Sequence, residues 1–451
     1  MNHIIVIGGG LAGSEAAWQI AQRGINVKLY EMRPLLSTGA HQTQELAELV
    51  CSNSFGSNLP DRASGLLKTE LRGMKSLLLE IAEQTALPAG AALAVDRKLF
   101  SEKVTERITA HPNIKLIRQE MPEIPSDPVV IASGPLTSSN LSASIAKFTG
   151  QEHLYFFDAI SPSVSVDSID MDIAYRASRW DDGDQENGDY INCPFHNKED
   201  YVVFVETLRT AERIKLHEFE LEIKNGVTAG ADHFFEGCLP VEIIAERGEK
   251  ALAFGPLRPL GLSDPRVARK PYAVVQLRQD NLAGDIFNMV GFQTNLTFQE
   301  QRRVFRTIPG LSNAEFLRYG QMHRNTFIAS PRLVLPTLQS AGRDDLFFAG
   351  QITGVEGYMG NIATGLLAGW NAARLFQGKA PLELPRETML GSLCYYISHA
   401  DMKHFQPMKA NFGILPPLQE ALNKTNKRER AALYATRAQN AFDIFYTEYG
   451  T

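Results

Sequence analysis

The chain contains little cysteine and no cysteine pair. Four of its 451 residues are Cys, and none of them belongs to a CxxC motif. This scarcity excludes a disulfide-stapled fold and a zinc ribbon, and it predicts no metal site. It is typical of proteins in a reducing compartment, so the cytoplasm is the expected location.

Long apolar runs are also missing. No stretch reaches the roughly 18 apolar residues that span a bilayer, and residues 1–10 lack a cationic region with a small-residue cleavage site. We therefore expect neither a membrane partner nor a signal peptide. With 44% hydrophobic and 21% charged residues, the chain is predicted to be globular rather than disordered, collagen-like or a coiled coil.

Basic residues do not outnumber acidic ones in the whole chain, but they do in its second half. The net charge is −6, which by itself argues against a nucleic-acid partner. Residues 1–250 contain 23 Lys+Arg and 36 Asp+Glu, whereas residues 251–451 contain 22 and 15, so the halves carry −13 and +7. The basic half indicates either a polyanion-binding surface or an incidental surface composition, and charge alone does not separate the two.

The start of the chain predicts a complete βαβ unit. A β-branched apolar strand over 3–7 precedes a glycine-rich turn, a helix over 14–23 and a second strand over 25–30 that closes on Glu31. With all these parts in register, the glycine-rich turn is a strong indication of dinucleotide binding.

The turn itself carries a GxGxxG motif. Gly8 permits the tight turn, Gly10 lets the backbone approach a pyrophosphate, and Gly13 lets helix and strand pack closely. The helix N-terminus supplies free N–H groups for the phosphates, and the Glu31 carboxylate can accept hydrogen bonds from ribose hydroxyls. The candidate cofactor-binding residues of the turn are Gly8, Gly9, Gly10, Leu11, Ala12 and Gly13.

Two later segments favour FAD over NAD. A buried strand over 129–134 ends in Ser133 and Gly134, and a strand over 345–350 continues into a second glycine-rich segment. A plain NAD domain does not require the chain to return in this way. The candidate residues of the second segment are Gly350, Gln351, Gly354 and Gly357.

Further elements complete a two-domain arrangement. We predict helices over 62–84, 96–110 and 363–376, and strands over 201–205 and 272–277. The expected fold is an α/β, GR2-type Rossmann-like FAD-binding domain that is discontinuous and carries an inserted α+β substrate domain. The expected segments are 1–160 and 331–451 for the FAD-binding domain, with basic C-terminal helices in the latter, and 161–330 for the inserted substrate or tRNA domain.

Two of the cysteines lie in loop-like sequence. Cys51 is flanked by small polar residues, and Cys238 lies in a turn with Gly, Pro and carboxylates nearby. Cys193 and Cys394 are predicted to pack in the core. A single cysteine is more often a small buried hydrophobe than a nucleophile, so the residues alone leave both roles open for Cys51 and Cys238.

The basic half contains candidate phosphate contacts. As solvated helix faces these side chains need no ligand; as RNA contacts they explain the +7 charge of the half. The candidate RNA-binding residues are Arg302, Arg303, His323, Arg324, Lys427 and Arg428.

Longer motifs connect the chain to a known family. It resembles the folate- and FAD-dependent tRNA (uracil-5-)-methyltransferases from the first strand to about residue 405. After Tyr358, however, residues 359–365 depart from the acidic and small polar residues expected there. The motifs that carry the resemblance are Glu31-Met32-Arg33-Pro34 and the segments 51–54, 236–240, 271–278, 290–295, 323–327 and 350–358.

The resemblance implies a reaction and its participants. The family forms 5-methyluridine at position 54 in the tRNA T-loop. Its methylene comes from 5,10-methylenetetrahydrofolate, its reduction from NADH or NADPH through FAD, and a thiolate adds to uracil C6. Cys51 and Cys238 match the family's functional cysteines, and Arg33 and Tyr358 join the cofactor-binding residues. The expected partners are the tRNA T-arm, folate and NAD(P)H, with the chain a monomer or weak dimer.

Three alternatives stay open at this stage. The same chemistry can act on uridine of 23S ribosomal RNA. A related flavoprotein modifies the wobble uridine of tRNA, but it carries a long helical C-terminal domain for which no room remains after residue 376. A small-molecule flavin oxidoreductase, with an incidental basic half, is the third alternative.

Overall fold

The computed structural model describes residues 2–150, 154–181, 188–214, 239–264, 266–267, 270–418 and 426–450, with the backbone alone at 154–159, 181, 322–324 and 427. The strands are β1 (His3–Ile7), β2 (Asn26–Glu31), β3 (Ser54–Ser57), β4 (Ala86–Leu87), β5 (Ala92–Val95), β6 (Ile114–Arg118), β7 (Val129–Ile131), β8 (Leu154–Ala159), β9 (Ser163–Ser165), β10 (Tyr175–Ala177), β11 (Tyr190–Phe195), β12 (Ala273–Gln279), β13 (Ile286–Met289), β14 (Phe316–Arg318), β15 (Met322–Phe327), β16 (Gln339–Ser340) and β17 (Arg343–Phe348).

Helices surround these strands. The α-helices are α1 (Leu11–Ala21), α2 (Ala63–Gly73), α3 (Leu77–Gln84), α4 (Arg97–Thr109), α5 (Ser139–Thr149), α6 (Lys198–Arg209), α7 (Val241–Glu246), α8 (Ala251–Phe254), α9 (Phe298–Phe305), α10 (Ser330–Leu333), α11 (Tyr358–Phe376), α12 (Met389–His399) and α13 (Lys427–Tyr449). Short 3₁₀ turns occur at Val166–Ser168, Arg179–Asp181, Gly350–Thr353 and Phe412–Ile414.

The first sheet combines both ends of the chain. Its order is β16-β17-β7-β1-β2-β6, and every neighbouring pair except β16 with β17 is parallel. The late strand β17 pairs with β7, so residues after the insertion complete a sheet that the first residues begin. The predicted α/β, Rossmann-like, discontinuous fold is therefore confirmed.

Helices α1 and α11 pack closely because the latter presents glycines to the former. A Cβ on Gly365 would lie 2.2 Å from the carbonyl oxygen of Ala12, and one on Gly369 would lie 2.5 Å from that of Ala16. Only glycine permits this approach, which fixes the second glycine-rich segment beside the first.

The second sheet belongs to the insertion. Its order is β10-β11-β12-β13-β9-β14, and all of its neighbouring strands are antiparallel. The apolar core of this part is drawn from residues 164–314, whereas that of the first sheet is drawn from residues 4–145 and 328–445. We propose that these two cores correspond to domains with boundaries near 160 and 330.

The two crossings between the cores run side by side. Strand β8 enters the insertion and β15 leaves it, and the two pair as antiparallel neighbours from Leu154 opposite Phe327 to Ala159 opposite Met322. A further small sheet, β3-β5-β4, follows the segment that contains Cys51.

The strand predicted over 201–205 is wrong, because this segment lies in helix α6. The Asn197 side chain caps the helix by accepting a hydrogen bond from the Asp200 amide. Tyr201, Phe204 and Leu208 are buried at helical spacing, whereas Val203 is 61% exposed. A short apolar run does not distinguish a strand from one face of a helix.

The single helix predicted over 62–84 is in fact two helices, α2 and α3. Lys75 between them has a positive φ of 58°, and Ser76 caps the second helix. The buried Glu15 carboxylate from α1 accepts hydrogen bonds from the amides of Leu77 and Leu78. These contacts satisfy the amide groups that the break exposes.

The described residues contain neither a membrane-spanning helix nor a cluster of metal ligands. None of their helices is long and apolar enough to cross a membrane. Within the same residues, no group of three or more His, Cys, Asp or Glu side chains is placed to hold a metal ion.

Candidate active site

The glycine-rich turn after β1 forms one wall of a cavity. Helix α1 begins at Leu11 without a side-chain cap, so its first amide groups have no capping partner. A Cβ on Gly10 would meet no protein atom within 4 Å, whereas one on Gly13 would lie 1.7 Å from the Gly8 carbonyl oxygen. The roles predicted for Gly10 and Gly13 therefore differ: the first leaves space for a ligand, and the second lets helix and strand approach.

Glu31 is held at the edge of the same cavity. One carboxylate oxygen accepts from the Gly9 amide at 2.8 Å, and the other accepts from the backbone amide and Nε of Arg33, both at 3.0 Å. Burial alone would raise the pKa of Glu31, but the Arg33 guanidinium and these hydrogen bonds hold it below its usual value. The carboxylate thus stays ionised, and Arg33 also pairs with Glu48 at 3.0 Å.

The segments that follow strands β7 and β17 form other walls of the cavity. Asn361 at the start of α11 lines it, and among the described residues the buried Oδ1 of Asn361 has no hydrogen-bond partner. An orphaned acceptor, an uncapped helix N-terminus and an ionised carboxylate fit a dinucleotide with hydroxyl and N–H donors. The predicted residues that line this cavity are Gly8, Gly10, Leu11, Ala12, Glu31, Arg33, Ser133, Gly134, Gly350, Gln351 and Tyr358.

The other predicted cofactor residues lie nearby in different roles. Gly9 donates to Glu31, and Gly13 is at the helix–strand contact. Gly357 lines a neighbouring cavity. Gly354 lines neither cavity; a Cβ there would lie 2.8 Å from the Phe405 ring.

This neighbouring cavity, which we call the catalytic cavity, has a volume of about 410 Å³ and opens beside the first. The two share Val50, Gln351, Tyr358 and Asn361 among their walls. The walls of the catalytic cavity come from both domains and from the segment around Cys51. The wall residues that show this are Cys51, Ser52, Phe55, Ile160, Gln293, Asn325 and Lys409.

The backbone around Cys51 is fixed by three side chains from distant parts of the sequence. The Cys51 amide donates to the Tyr358 hydroxyl at 3.0 Å. Arg97 donates to the carbonyls of Leu49 and Cys51 at 3.0 and 3.2 Å, and Arg318 donates to that of Val50 at 2.8 Å. Both domains therefore hold the segment that carries the thiol.

Positive charge accumulates beneath this segment. Arg278 donates to the Asn53 side chain at 2.7 Å, and Asp280 pairs with Arg97 at 2.7 Å. Burial lowers the pKa of Arg278 and of Arg318. Burial also acts to lower the pKa of Arg97, but Asp280, Tyr358 and Cys51 together raise it above its usual value. All three guanidiniums remain charged, and this concentration of cations favours anionic species in the catalytic cavity.

The described thiols fall into two groups. Cys193 and Cys394 are buried in the cores, as predicted, and burial raises the pKa of Cys193 to about 12 and that of Cys394 as well. Both stay protonated and inert. Cys51 is half-buried and lines the catalytic cavity.

Cys238 lies outside the described residues. The described chain resumes at Leu239, and the Val241 amide donates to the carbonyl of Gln293 at 2.7 Å. The Glu242 carboxylate then accepts from the Thr294 hydroxyl and the Asn295 amide. The residues that follow Cys238 are thereby tied to the loop that contributes Gln293 to the catalytic cavity.

The predicted RNA-binding residues differ in their surroundings. Arg302 lies over Tyr319, whereas Arg303 pairs with Glu300. Arg428 is 3.5 Å from Asp61. The side chains of His323, Arg324 and Lys427 are outside the described part of the chain.

Several residues at the site had no signal in the sequence. Arg97, Arg278 and Arg318 lie in ordinary helix or strand sequence, and their common target becomes visible only when the two domains meet. Asn361 lies within the departure over 359–365, which gives no sign of its role, yet it lines both cavities and carries a buried oxygen without a partner among the described residues.

The comparisons with known proteins first identify a class. A model of the family described as glucose inhibited division protein A matches residues 3–380. The crystal form II structure of Aquifex aeolicus GidA superposes with a TM-score of 0.69 at 18% identity, covering 98% of this chain and 73% of that one. The fold is that of a GidA-type α/β protein.

Much more similar relatives define the family. The proteins named methylenetetrahydrofolate–tRNA-(uracil-5-)-methyltransferase TrmFO from Exiguobacterium sp. (strain AT1b) and Enterococcus faecalis are both 54% identical to this chain. The matches cover 97% of both chains for the first and 96% of both for the second. The chain belongs to the TrmFO family.

Proposed function

We propose that this chain is a folate- and FAD-dependent enzyme that methylates C5 of a uridine in tRNA. The observation that carries the proposal is the half-buried Cys51, which lines a cavity that shares wall residues with the dinucleotide cradle. Membership of the TrmFO family supports the same reaction. The relatives match over nearly their whole length, which favours this activity over wobble-uridine modification and over small-molecule oxidation.

A thiolate is needed because uracil C5 is a poor nucleophile. Addition of a sulfur electron pair to C6 breaks the C5–C6 double bond and places the electrons on C5 and O4 as an enolate, which can attack a one-carbon electrophile. The C5 proton is then removed, and expulsion of the sulfur restores the thiolate. We assign the C6 addition to Cys238 and the proton removal at C5, or protection of the adduct, to Cys51.

The cofactor-binding residues fit FAD. Gly10 and the α1 N-terminus would receive its pyrophosphate, Glu31 its ribose, and Ser133, Gly350, Gln351 and Asn361 its remaining polar groups. When bound, FAD supplies the reducing electrons for the methyl group, which we propose come from NADH or NADPH. The one-carbon unit comes from 5,10-methylenetetrahydrofolate, and the proposed substrate is the uridine at position 54 of the tRNA T-loop.

The protein's own contribution is to hold the reacting groups and their charge. Arg97, Arg318 and Tyr358 fix the Cys51 backbone, and the guanidiniums beneath it stabilise the thiolate and the enolate. Phe55 and Pro135 contribute apolar surface to the wall of the same cavity. We propose a cytoplasmic enzyme that acts as a monomer or weak dimer.

The direct test is a nucleoside analysis. tRNA that lacks 5-methyluridine is incubated with FAD-loaded protein, methylenetetrahydrofolate and NADPH, then digested and separated by liquid chromatography. We expect 5-methyluridine in tRNA and none when the folate is omitted. Product in 23S ribosomal RNA but not in tRNA would redirect the proposal to that substrate, and no product in either would reject it.

The division of roles between the thiols has its own test. A mini-tRNA with 5-fluorouridine at the target should trap a covalent complex, because fluorine cannot leave as the C5 proton does. We expect the trapped complex with Cys51→Ala and none with Cys238→Ala. The opposite pattern would reverse the assignment.

Replacement of Arg318 should lower turnover without lowering the flavin content of the protein. Arg318→Met removes the hydrogen bond from the inserted domain to the Val50 carbonyl, yet Arg318 does not line the FAD cavity. A hydrogen bond from a charged donor contributes about 1.5–3 kcal/mol, so we expect kcat to fall about 10- to 100-fold with full flavin content.

Arg306→Met is the matched control for this prediction. Arg306 also donates to a backbone carbonyl, that of Ala314, but both residues lie within the inserted domain. Its turnover should stay near that of the wild type. Equal losses in the two variants would show that the Arg318 contact to the Cys51 segment has no special role.

A further inference from the structure

Three aromatic rings stack on the surface of the inserted domain beside an arginine. Phe298, the first residue of α9, is 45% exposed, and its ring stacks on Tyr319 with centroids 5.0 Å apart and planes at 23°. Tyr319 stacks in turn on Phe316 at 5.6 Å and 17°. Arg302 donates from Nε and Nη2 to the Tyr319 hydroxyl at 3.1 and 2.6 Å. We call these four residues the aromatic platform.

The charge of the platform is available to an anion. Among the described residues, no carboxylate pairs with the exposed Arg302, which is oriented by a neutral hydroxyl instead. The adjacent Arg303 differs, since it donates to both oxygens of Glu300 at 2.9 and 2.5 Å. Two neighbouring arginines on one helix therefore have different electrostatic surroundings.

One short segment of the chain connects the platform to the catalytic cavity. Tyr319 follows directly after Arg318, which donates to the Val50 carbonyl beside Cys51. Two residues later, the Gln321 carbonyl accepts from the amide of Ile160, a residue that lines the cavity. The segment 318–321 therefore links the aromatic platform to the wall of the catalytic cavity.

We propose that the aromatic platform binds an unpaired nucleotide next to the target uridine. The base stacks on the exposed face of Phe298, and a phosphate pairs with Arg302. Loop nucleotides of RNA are commonly recognised by such combinations of a ring and a cation, because every base has a stacking face. This inference rests on the proposed function and adds to it the place where the flanking RNA is held.

The test measures tRNA affinity of the FAD-loaded full-length protein by fluorescence anisotropy over a salt series. Phe298→Ala should weaken binding about tenfold, and Phe298→Trp should bind like the wild type because stacking is kept. Arg302→Ala should weaken binding and reduce the slope of log affinity against log salt by about 1. In the Phe298→Ala and Arg302→Ala variants the loss of binding should also appear as a higher KM for tRNA.

Two control variants match these changes. Phe254→Ala removes a 76% exposed ring of α8, and Arg209→Ala removes an arginine of α6 that pairs with Glu206. Both should bind tRNA like the wild type. Phe298→Leu keeps an apolar side chain without a ring, so it should show the loss of affinity even if Phe298→Ala folds poorly.

The outcomes separate this inference from the proposed function. Wild-type protein that neither binds nor methylates tRNA overturns both. Wild-type protein that binds and methylates tRNA, together with Phe298→Leu and Arg302→Ala variants that bind as tightly as the controls, overturns the aromatic platform alone.

Discussion

Replacement of Cys51 by alanine should abolish methylation while leaving the fold and the flavin in place. Cys51 lines the catalytic cavity but not the FAD cavity, and its segment is fixed through backbone groups that alanine retains. Loss of a positioned proton-transfer group costs about 10²- to 10⁴-fold in rate. Single-turnover formation of 5-methyluridine measures this loss, with flavin absorbance per chain as the check on cofactor content.

Cys394→Ala is the control for the Cys51 variant. Cys394 is a buried core thiol, so its loss should lower the unfolding free energy by about 1 kcal/mol and leave the rate unchanged. A Cys51→Ala variant that keeps more than a tenth of the wild-type rate would remove Cys51 from the reaction.

The second large effect is expected at the glycine-rich turn, where two glycines should fail in different ways. Gly10 has φ −76°, which any residue adopts, and a Cβ there meets no protein atom. Gly10→Val should therefore fold normally but place its methyl groups in the space for the pyrophosphate, reducing FAD affinity at least ~100-fold. Flavin retained on purification and the melting temperature without flavin together measure this result.

Gly13→Ala is the matched comparison. Its Cβ would lie 1.7 Å from the Gly8 carbonyl oxygen, so helix α1 and strand β1 must separate. Overpacking of this kind costs about 1–3 kcal/mol or more, and we expect a lower melting temperature as well as lost flavin. Full flavin content in Gly10→Val would contradict the placement of the pyrophosphate at this turn.

The sequence predicts the dinucleotide cradle well because its signals are local. Glycine spacing, a β-branched strand and a terminal carboxylate all lie within residues 3–31, and the structure brings them together as expected. The sequence does not reveal the break at Lys75, because the group that stabilises it is distant along the chain. The carboxylate of Glu15, in α1, accepts a hydrogen bond from an amide at the start of the second helix.

The catalytic cavity is less accessible to sequence reasoning for the same physical reason. Cys51 stands out only through its small polar neighbours, whereas its supports Arg97 and Arg318 come from positions 46 and 267 residues further along the chain. The apolar run over 201–205 shows a limit of purely local patterns. The run is compatible with a strand and with one face of a helix, and in the structure it lies in the helix that Asn197 caps.

The pairing of β8 with β15 has a consequence for how this protein could be divided. Ala159 and Met322 are opposite each other, so the two ends of the nucleotide domain meet within about 5.5 Å, the reach of a short turn. Residues 160–321 thus form an insertion between two paired strands. If these residues were replaced by a short turn, the chain that builds the first sheet would stay covalently continuous. The shortened protein would keep every residue that lines the cavity at the glycine-rich turn, but the Val50 carbonyl would lose its Arg318 donor. Cofactor binding and catalysis would thus be separable by this one deletion.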